Sequence, residues 1–347
     1  MPLPVLLSVV GWIGLFVICF IVPQRAFSED GAKSGAVPRV LLVGPGRPLK
    51  TPSAAAAVAR RGDTIRIDAG EYVDCAVWRT PDITLEGVGG YAHIRDISCD
   101  GKALWVFYDG PATVKKIRFS GAKVARRNGA GIRWEGRGRL MVEDSRFDGN
   151  QMGILTHNKT ISSLSVSKSR FDGNGNCENF CGHAIYAGFI SELRVEESEF
   201  RNHYFGHHIK SRALVSHIAG NRISDGAAGS ASYAINLPNS GTALIRHNVI
   251  QKGPLSDNIN CAICIGEEIR PPSAESRLSN ATNASRGIVV EQNSFRNDSN
   301  SPETVFVWNR GPHSVILRGN TATGTDTMYF AGPKPEEEDV SPPAGNH

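Results

Sequence analysis

The sequence is poor in several features that would indicate other classes of protein. Aromatic residues make up only 7% of its 347 residues, and the net charge is a mild +4, with basic and acidic residues alternating along most of the chain. No motif interleaves aromatic with basic residues, so nothing argues for a nucleic-acid partner. Long amphipathic stretches are also missing, whereas glycine is abundant at 37 residues and short Val/Ile pairs recur. This composition predicts an all-β protein with many turns.

The amino end differs from the rest of the chain. Residues 3–22 form an uninterrupted apolar run, and "PQRAFSED" follows it, with Ala26 and Ser28 at the small-residue positions of a cleavage site. This pattern predicts a signal peptide over residues 1–28 and export to the periplasm or the medium. Because the run is nearly long enough to span a bilayer and no basic residue precedes it, an uncleaved anchor is the alternative and the only predicted membrane contact.

A repeat determines the predicted architecture. Seven segments align on one Ser or Asn, with an aliphatic residue three positions earlier and, in six of the seven, a Phe or Ile two positions later; the Ser/Asn positions are Ser145, Ser169, Ser198, Asn221, Asn248, Asn293 and Asn320. The intervals run from 23 to 29 residues, apart from one of 45 that carries the Pro/Ser/Asn-rich stretch 271–285 as an inserted loop. Short strands with a period in the twenties and small polar residues at a bend predict a parallel β-helix.

The ends of the coil follow from the same reasoning. The segment 49–72 contains an Ala-rich stretch followed by the strand "TIRI", and it resembles the entry segment of secreted right-handed β-helix proteins of the pectate-lyase-like class. We therefore expect a helix near residues 52–60 to cap the amino end of one β-helix domain over residues 29–332. The acidic, Pro-rich stretch 333–347 is predicted to be a disordered tail.

Six cysteines remain after Cys19 is removed with the leader, and an even number in an exported chain favours disulfides. Cys75 and Cys99 are one repeat length apart, which places them on adjacent coils within bonding reach. Cys177 and Cys181 lie in a Gly/Asn loop that could close on itself; zinc binding with His183 is the alternative and lacks a fourth ligand. Cys261 and Cys264, if extended, would face opposite sides of a strand and could not bond each other.

The stretch "GHHIKSR" at 206–212 concentrates basic side chains in a way that an ordinary surface strand does not require. Five short segments align on an Ile column at Ile154, Ile185, Ile209, Ile235 and Ile263. If that column is the core, strict alternation directs His208, Lys210 and Arg212 outward and His207 inward. Neighbouring coils then place Tyr186 and Asn236 on either side of Lys210.

Other polar residues fall within two coils of this row: His183, Tyr233, Asn239, Glu267 and Glu268. The strings "HAIY", "GHHIKSRA", "SYAINLPNSG" and "IRHNVIQKGP" followed by "GEE" resemble a group of uncharacterised bacterial exported right-handed β-helix proteins in the pectin-lyase-like superfamily. The resemblance covers about residues 38–330. It implies the fold and a carbohydrate context but no particular reaction.

Three functions follow as hypotheses. The first is a lyase or epimerase acting as a monomer on an acidic polysaccharide, with Lys210 as base, His208 as competing base, Arg212 as carboxylate neutraliser and Tyr186 as acid. Asn236, Asn239, His183, Tyr233, Glu267 and Glu268 would then contact substrate. The second is a non-catalytic glycan-binding or envelope structural protein, for which the row is an adhesive stripe. The third is a glycoside hydrolase, for which only Glu267 and Glu268 offer two carboxylates.

The sequence leaves the cofactor open. No motif indicates a metal, and Asp148, Asp172 and Asp225 are acidic residues that lie at bends. A turn-capping role suits such positions, with calcium binding as the alternative.

Overall fold

The chain winds into a coil of short parallel strands, in a computed structural model that describes residues 38–178, 181–269, 287–312 and 314–332. The predicted signal peptide, the inserted loop at 271–285 and the acidic tail lie outside the described residues. Every pair of neighbouring strands is parallel, and each strand pairs with its counterpart one coil later, so the fold is a right-handed parallel β-helix, as predicted. The smaller sheet receives one strand from each coil and has ten strands.

The larger sheet has 19 strands and forms two of the three walls of the coil. Its strands are β1 (Val40–Val43), β2 (Thr64–Tyr72), β4 (Ile83–Arg95), β6 (Ala112–Lys115), β7 (Ile117–Ser120), β9 (Gly138–Glu143), β10 (Arg146–Asp148), β12 (Ser162–Ser167), β13 (Arg170–Asp172), β15 (Glu192–Glu196), β16 (Glu199–Arg201), β18 (Val215–Ala219), β19 (Arg222–Ser224), β21 (Thr242–Arg246), β22 (Val249–Lys252), β24 (Ile288–Glu291), β25 (Ser294–Asn297), β27 (Val315–Arg318) and β28 (Thr321–Thr323).

The smaller sheet forms the third wall and carries the candidate site. Its strands are β3 (Ala76–Trp78), β5 (Ala103–Phe107), β8 (Ala130–Trp134), β11 (Met152–Thr156), β14 (Ile185–Ala187), β17 (His207–Ser211), β20 (Tyr233–Leu237), β23 (Cys261–Ile265), β26 (Val305–Asn309) and β29 (Tyr329–Ala331).

The repeated Ser/Asn position forms a ladder at the bend between the two walls of the larger sheet. In each coil the side-chain oxygen accepts a hydrogen bond of 2.9–3.1 Å from the backbone N–H of the ladder residue one coil earlier, from Ser145 through to Asn320. The ladder is buried or nearly so, and an unpaired backbone N–H there would cost about 1–3 kcal/mol. The repeat therefore keeps a Ser or Asn at this position because its side-chain oxygen accepts a hydrogen bond from the backbone N–H at the bend.

The core is made of stacked columns of like residues. Phe119, Phe147, Phe171 and Phe200 stack with ring centroids 4.6–5.1 Å apart and are at most 1% exposed. The Ile column predicted from the sequence is confirmed, since its five members pair in register and all lie in the main core.

The amino end is covered by helix α1 (Pro52–Val58). Thr51 caps it by accepting a hydrogen bond from the backbone N–H of Ala54, and Ala55 is fully buried against the first coil. The predicted capping helix is confirmed, and it covers apolar core that an open end would expose. No helix among the described residues is long and apolar enough to cross a bilayer.

All six cysteines of the body form disulfides. The predicted pairs Cys75–Cys99 and Cys177–Cys181 are both present, with Cα atoms 5.5 Å and 4.1 Å apart. The prediction that Cys261 and Cys264 cannot bond each other is wrong, because they form the third disulfide with Cα atoms 5.8 Å apart. The reason is a departure from strict alternation in the smaller sheet.

Candidate active site

Strands of the smaller sheet place two consecutive residues on the core side. The pairs Leu104/Trp105, Ala184/Ile185, Ala234/Ile235, Ala262/Ile263 and Phe306/Val307 all belong to the main core. The residues that flank such pairs, among them Cys261 and Cys264, form separate clusters on the outer face. The order is thus out, in, in, out, which puts residues three apart on one side and allows Cys261 to reach Cys264.

The same departure reverses the two histidines of β17. The His207 ring lies on the outer face between the rings of His183 and Tyr233, at centroid distances of 4.8 Å and 4.7 Å. His208 is 1% exposed and its ring lies 6.4 Å from the core ring of Phe200. The prediction that His208 faces outward and His207 inward is therefore wrong. His208 cannot contact a polysaccharide from inside the coil.

Lys210 has the neighbours that the sequence predicted. Register pairs it with Tyr186 on one side and Asn236 on the other. The exposed fraction of its side chain is only 11%, and that of Arg212 is 14%, so the basic row is far more enclosed than an exposed strand face would be.

Both cations converge on one carboxylate, Glu268. The Lys210 ammonium donates to Glu268 Oε1 at 2.7 Å, and the Arg212 guanidinium donates to the other oxygen. Arg212 also donates to the Tyr186 hydroxyl at 2.9 Å and to the amide oxygen of Asn239. We call Tyr186, Lys210, Arg212, Glu267 and Glu268 the acid–base cluster. The Glu268 side chain is 36% exposed, which gives the cluster an opening to solvent.

The two adjacent glutamates differ in their proton affinity. Burial raises the pKa of Glu267 to about 7, although the Asn236 amide donates to it at 2.8 Å. Burial acts in the same direction on Glu268, but the hydrogen bonds and charges of Lys210 and Arg212 outweigh it and hold the pKa of Glu268 below its ordinary value. With Glu267 protonated, the cluster contains two cations and one ionised carboxylate, a surplus of one positive charge; once Glu267 ionises, two cations face two carboxylates.

The stacked rings beside the cluster are neutral. Burial lowers the pKa of both His183 and His207 well below the usual value, and nearby positive charge from Lys210 adds to the shift. The backbone N–H of His207 donates to His183 Nδ1 at 2.9 Å, which requires the proton of a neutral His183 to be on Nε2. Burial also raises the pKa of Tyr233 to about 12, and its hydroxyl accepts a hydrogen bond from Asn258.

A second set of charges lies inside the coil, and sequence reasoning missed its role. His208 Nε2 lies 2.8 Å from Asp225 Oδ1, and that carboxylate also accepts hydrogen bonds from Gly253 and Ser256. Lys252 is 2% exposed and donates to the Ser232 carbonyl; burial lowers its pKa to about 8. We call His208, Asp225, Ser256 and Lys252 the inner network. The only signal in the sequence was an aspartate at a bend, assigned to turn capping.

The candidate metal positions have other partners. Cys177 and Cys181 bond each other, Asp148 pairs with Arg118, and Asp172 pairs with Arg170. Among the described residues no group of three or more His, Cys, Asp or Glu side chains has the arrangement of a metal site.

Comparison with known proteins finds similar folds only. No protein-family model matches the chain, and no curated protein does. Among solved structures, a pectin methylesterase from Aspergillus niger is 12% identical, with a TM-score of 0.46 over 83% of this chain and 87% of that one. An alginate lyase from a Paenibacillus species is 12% identical, with a TM-score of 0.48 over 85% of this chain and 99% of that one. A pectate lyase is 13% identical, with a TM-score of 0.46 over 88% of this chain and 81% of that one.

Proposed function

We propose that the protein acts on an acidic polysaccharide by β-elimination or C5 epimerisation at a uronate residue, in the acid–base cluster. The observation that carries the proposal is a pair of enclosed cations, Lys210 and Arg212, beside a carboxyl group whose pKa is about 7. The two cations suit a uronate carboxylate. A pKa near 7 suits proton transfer at neutral pH.

The contacts of the cluster suggest roles that differ in one respect from the sequence hypothesis. Lys210 and Arg212 would neutralise the substrate carboxylate, since both are held as cations by Glu268. Glu267 in its ionised form would replace Lys210 as the base. His183, His207 and Tyr233 would line the approach to it as neutral rings.

In β-elimination, ionised Glu267 takes the C5 proton and the C–H electron pair becomes the C4–C5 double bond. The C4–O bond breaks, and the Tyr186 hydroxyl gives its proton to the leaving oxygen. Proton exchange with solvent then restores both groups. In epimerisation no bond to oxygen breaks: Glu267 takes the C5 proton, a proton that originates from solvent adds to the opposite face of C5, and Glu267 then returns its proton to solvent.

The test is a turnover screen of the purified protein against acidic and neutral polysaccharides. Elimination gives unsaturated ends that absorb in the ultraviolet, and epimerisation in D₂O exchanges H5 without cleavage. We expect Glu267→Gln to lower kcat by about 10²–10⁴-fold, the usual contribution of a positioned acid or base. Glu199→Gln, which removes a half-exposed carboxylate from the larger sheet, is the matched control. Full activity of the Glu267 variant on a substrate that the wild type converts would contradict the proposed role.

Hydrolysis of a glycosidic bond is the second candidate, and one observation favours it. Two neighbouring carboxyl groups whose environments move their pKa values in opposite directions are the arrangement that a general acid and an ionised partner need. New reducing ends without ultraviolet absorbance would identify it. Tight binding of an acidic glycan with no turnover would instead support the non-catalytic hypothesis.

We infer that this activity operates outside the cytoplasm. Three disulfides in one body are typical of oxidising compartments, and the apolar run at residues 3–22 is consistent with export. Fractionation of cells that express the full chain, with the mass of the mature amino end, tests both the location and the cleavage after the leader.

A further inference from the structure

A second group of side chains on the outer face repeats the plan of the acid–base cluster. There, Glu135 receives two cations, with Lys102 Nζ at 3.2 Å and Arg133 Nε at 2.8 Å from the same oxygen. Lys210 and Arg212 likewise share Glu268, although each contacts a different oxygen of that carboxylate.

A tyrosine completes the likeness in both places. Lys102 donates to the Tyr108 hydroxyl at 3.0 Å and lies 4.8 Å from the centre of that ring. In the acid–base cluster Arg212 donates to the Tyr186 hydroxyl, and Lys210 lies 5.6 Å from the ring centre. Two cations, one shared glutamate and one phenol therefore occur together twice on the same wall.

The two groups are aligned along the coil axis. Arg133 pairs in register with Leu155, Leu155 with Tyr186, and Tyr186 with Lys210. Three strand spacings separate Arg133 from Lys210, a distance of about 14 Å. Between them on the outer face lie Leu155, which is only 5% exposed, and the partly exposed Tyr186, whose ring is the apolar surface that a linear sugar chain would cross.

The second group borders a cavity of about 450 Å³, whose lining includes Asp100, Lys102, Arg126, Asn128 and Arg133. Arg126 is exposed and forms no ion pair with any residue in the described ranges. With Glu135 included, three cations stand against two carboxylates, so this group also has a surplus of one positive charge.

Two sets of ion pairs on the larger sheet are balanced in charge. On the larger sheet, Arg170 and Arg201 stand against Asp172 and Glu199, which balances the charge. Arg66 pairs with Glu86 in the same one-to-one ratio. These two sets carry no surplus of charge, unlike the group at Lys102, Arg126 and Arg133.

We propose that the cavity at Lys102, Arg126 and Arg133 is a second carboxylate subsite for the same acidic glycan. The proposal rests on the proposed function. The glycan then lies along the coil axis over the smaller sheet, with one carboxylate at the acid–base cluster and another, a few sugar residues away, at Arg126 and Arg133.

The experiment measures dissociation constants for oligogalacturonates and alginate oligomers of two sugar units and of eight, by calorimetry with the full chain. Arg126→Gln removes the unpaired cation and leaves the Glu135 ion pairs intact. We expect it to weaken binding of the long oligomers about threefold to fivefold and to leave the short ones unchanged. Arg212→Gln should weaken binding at both lengths. Arg296→Gln removes an exposed cation from the larger sheet and controls for net charge.

The outcomes separate the two proposals. The second subsite is overturned if Arg126→Gln does not weaken binding, weakens it equally for short and long oligomers, or weakens it no more than Arg296→Gln does. The proposed function still stands in these cases, provided that Arg212→Gln weakens binding. The proposed function fails, and the second subsite with it, in either of two cases. The first is that the wild type binds neither family of oligomers. The second is that the Arg212 variant binds both families as tightly as the wild type does.

Discussion

Strand β17 supplies one member to each of two charged groups on opposite sides of one wall: Lys210 to the acid–base cluster outside and His208 to the inner network inside. Outside, Lys210 and Arg212 share Glu268, which is 36% exposed. Inside, His208 and Asp225 are 1% and 4% exposed and surrounded by polar partners. The comparison teaches that charge density alone does not separate the candidate functional residues of "GHHIKSR", Lys210 and Arg212, from the buried His208. What distinguishes them is whether a neighbouring group remains open to solvent.

The largest expected effect comes from breaking the inner network. Asp225→Ala leaves the buried Lys252 ammonium and the His208 ring without their carboxylate, and loss of one partner of a buried pair costs about 3–5 kcal/mol. We expect that loss in the free energy of unfolding, measured with denaturant at pH 7. Glu268→Gln, the matching change outside, should cost clearly less because solvent screens that pair. Equal losses of unfolding free energy for Asp225→Ala and Glu268→Gln would show that solvent screens the acid–base cluster no more than it screens the inner network.

The pH dependence of stability should have opposite slopes for the two groups. The folded pKa of Glu267, about 7, is above the ordinary 4.5, so its contribution to stability is complete below pH 4.5 and is lost as the pH rises through 7. The folded pKa of Lys252, about 8, is below the ordinary 10.5, so its contribution is complete above pH 10.5 and is lost as the pH falls through 8.

Each shift corresponds to about 3 kcal/mol. Denaturant unfolding at a series of pH values, compared with Glu267→Gln and Lys252→Met, measures both. Each variant should remove only its own slope. A Glu267 variant that follows the wild type between pH 4.5 and 7 would mean that this carboxyl is solvated.

The smallest effect concerns Lys210 itself. Since its ammonium is largely enclosed and bonded to a partly exposed Glu268, Lys210→Ala should lower the free energy of unfolding by about 1 kcal/mol, less than the inner network and more than an exposed lysine. Turnover of an acidic glycan should fall far more than stability does. Thermal unfolding and kcat/KM measured on the same preparation decide this, and a variant that loses stability but keeps full turnover would make Lys210 structural.

Much of the fold could be predicted because a coil repeats its environment. Ser145, Asn221 and Asn293 each accept a hydrogen bond from the backbone N–H at the equivalent bend one coil earlier. Because that N–H recurs in every coil, a small polar residue recurs with it and is visible in the sequence. The Phe stack and the Ile column recur for the same reason. The neighbours of Lys210 on the adjacent strands, Tyr186 and Asn236, followed from that register, whereas its ion-pair partner Glu268 did not.

The sequence by itself thus determined the coil, its period, the capping helix and the disulfides Cys75–Cys99 and Cys177–Cys181. Only the tertiary structure decided which histidine lies on the outer face of the wall, since two successive inward residues in β17, His208 and Ile209, break the alternation on which the prediction relied. It also decided the proton affinity of Glu267, because burial depends on what covers a side chain from other coils. Local patterns record contacts that repeat at every turn, whereas Glu267 and Glu268 contact Asn236, Lys210 and Arg212 through side chains that do not recur in each coil.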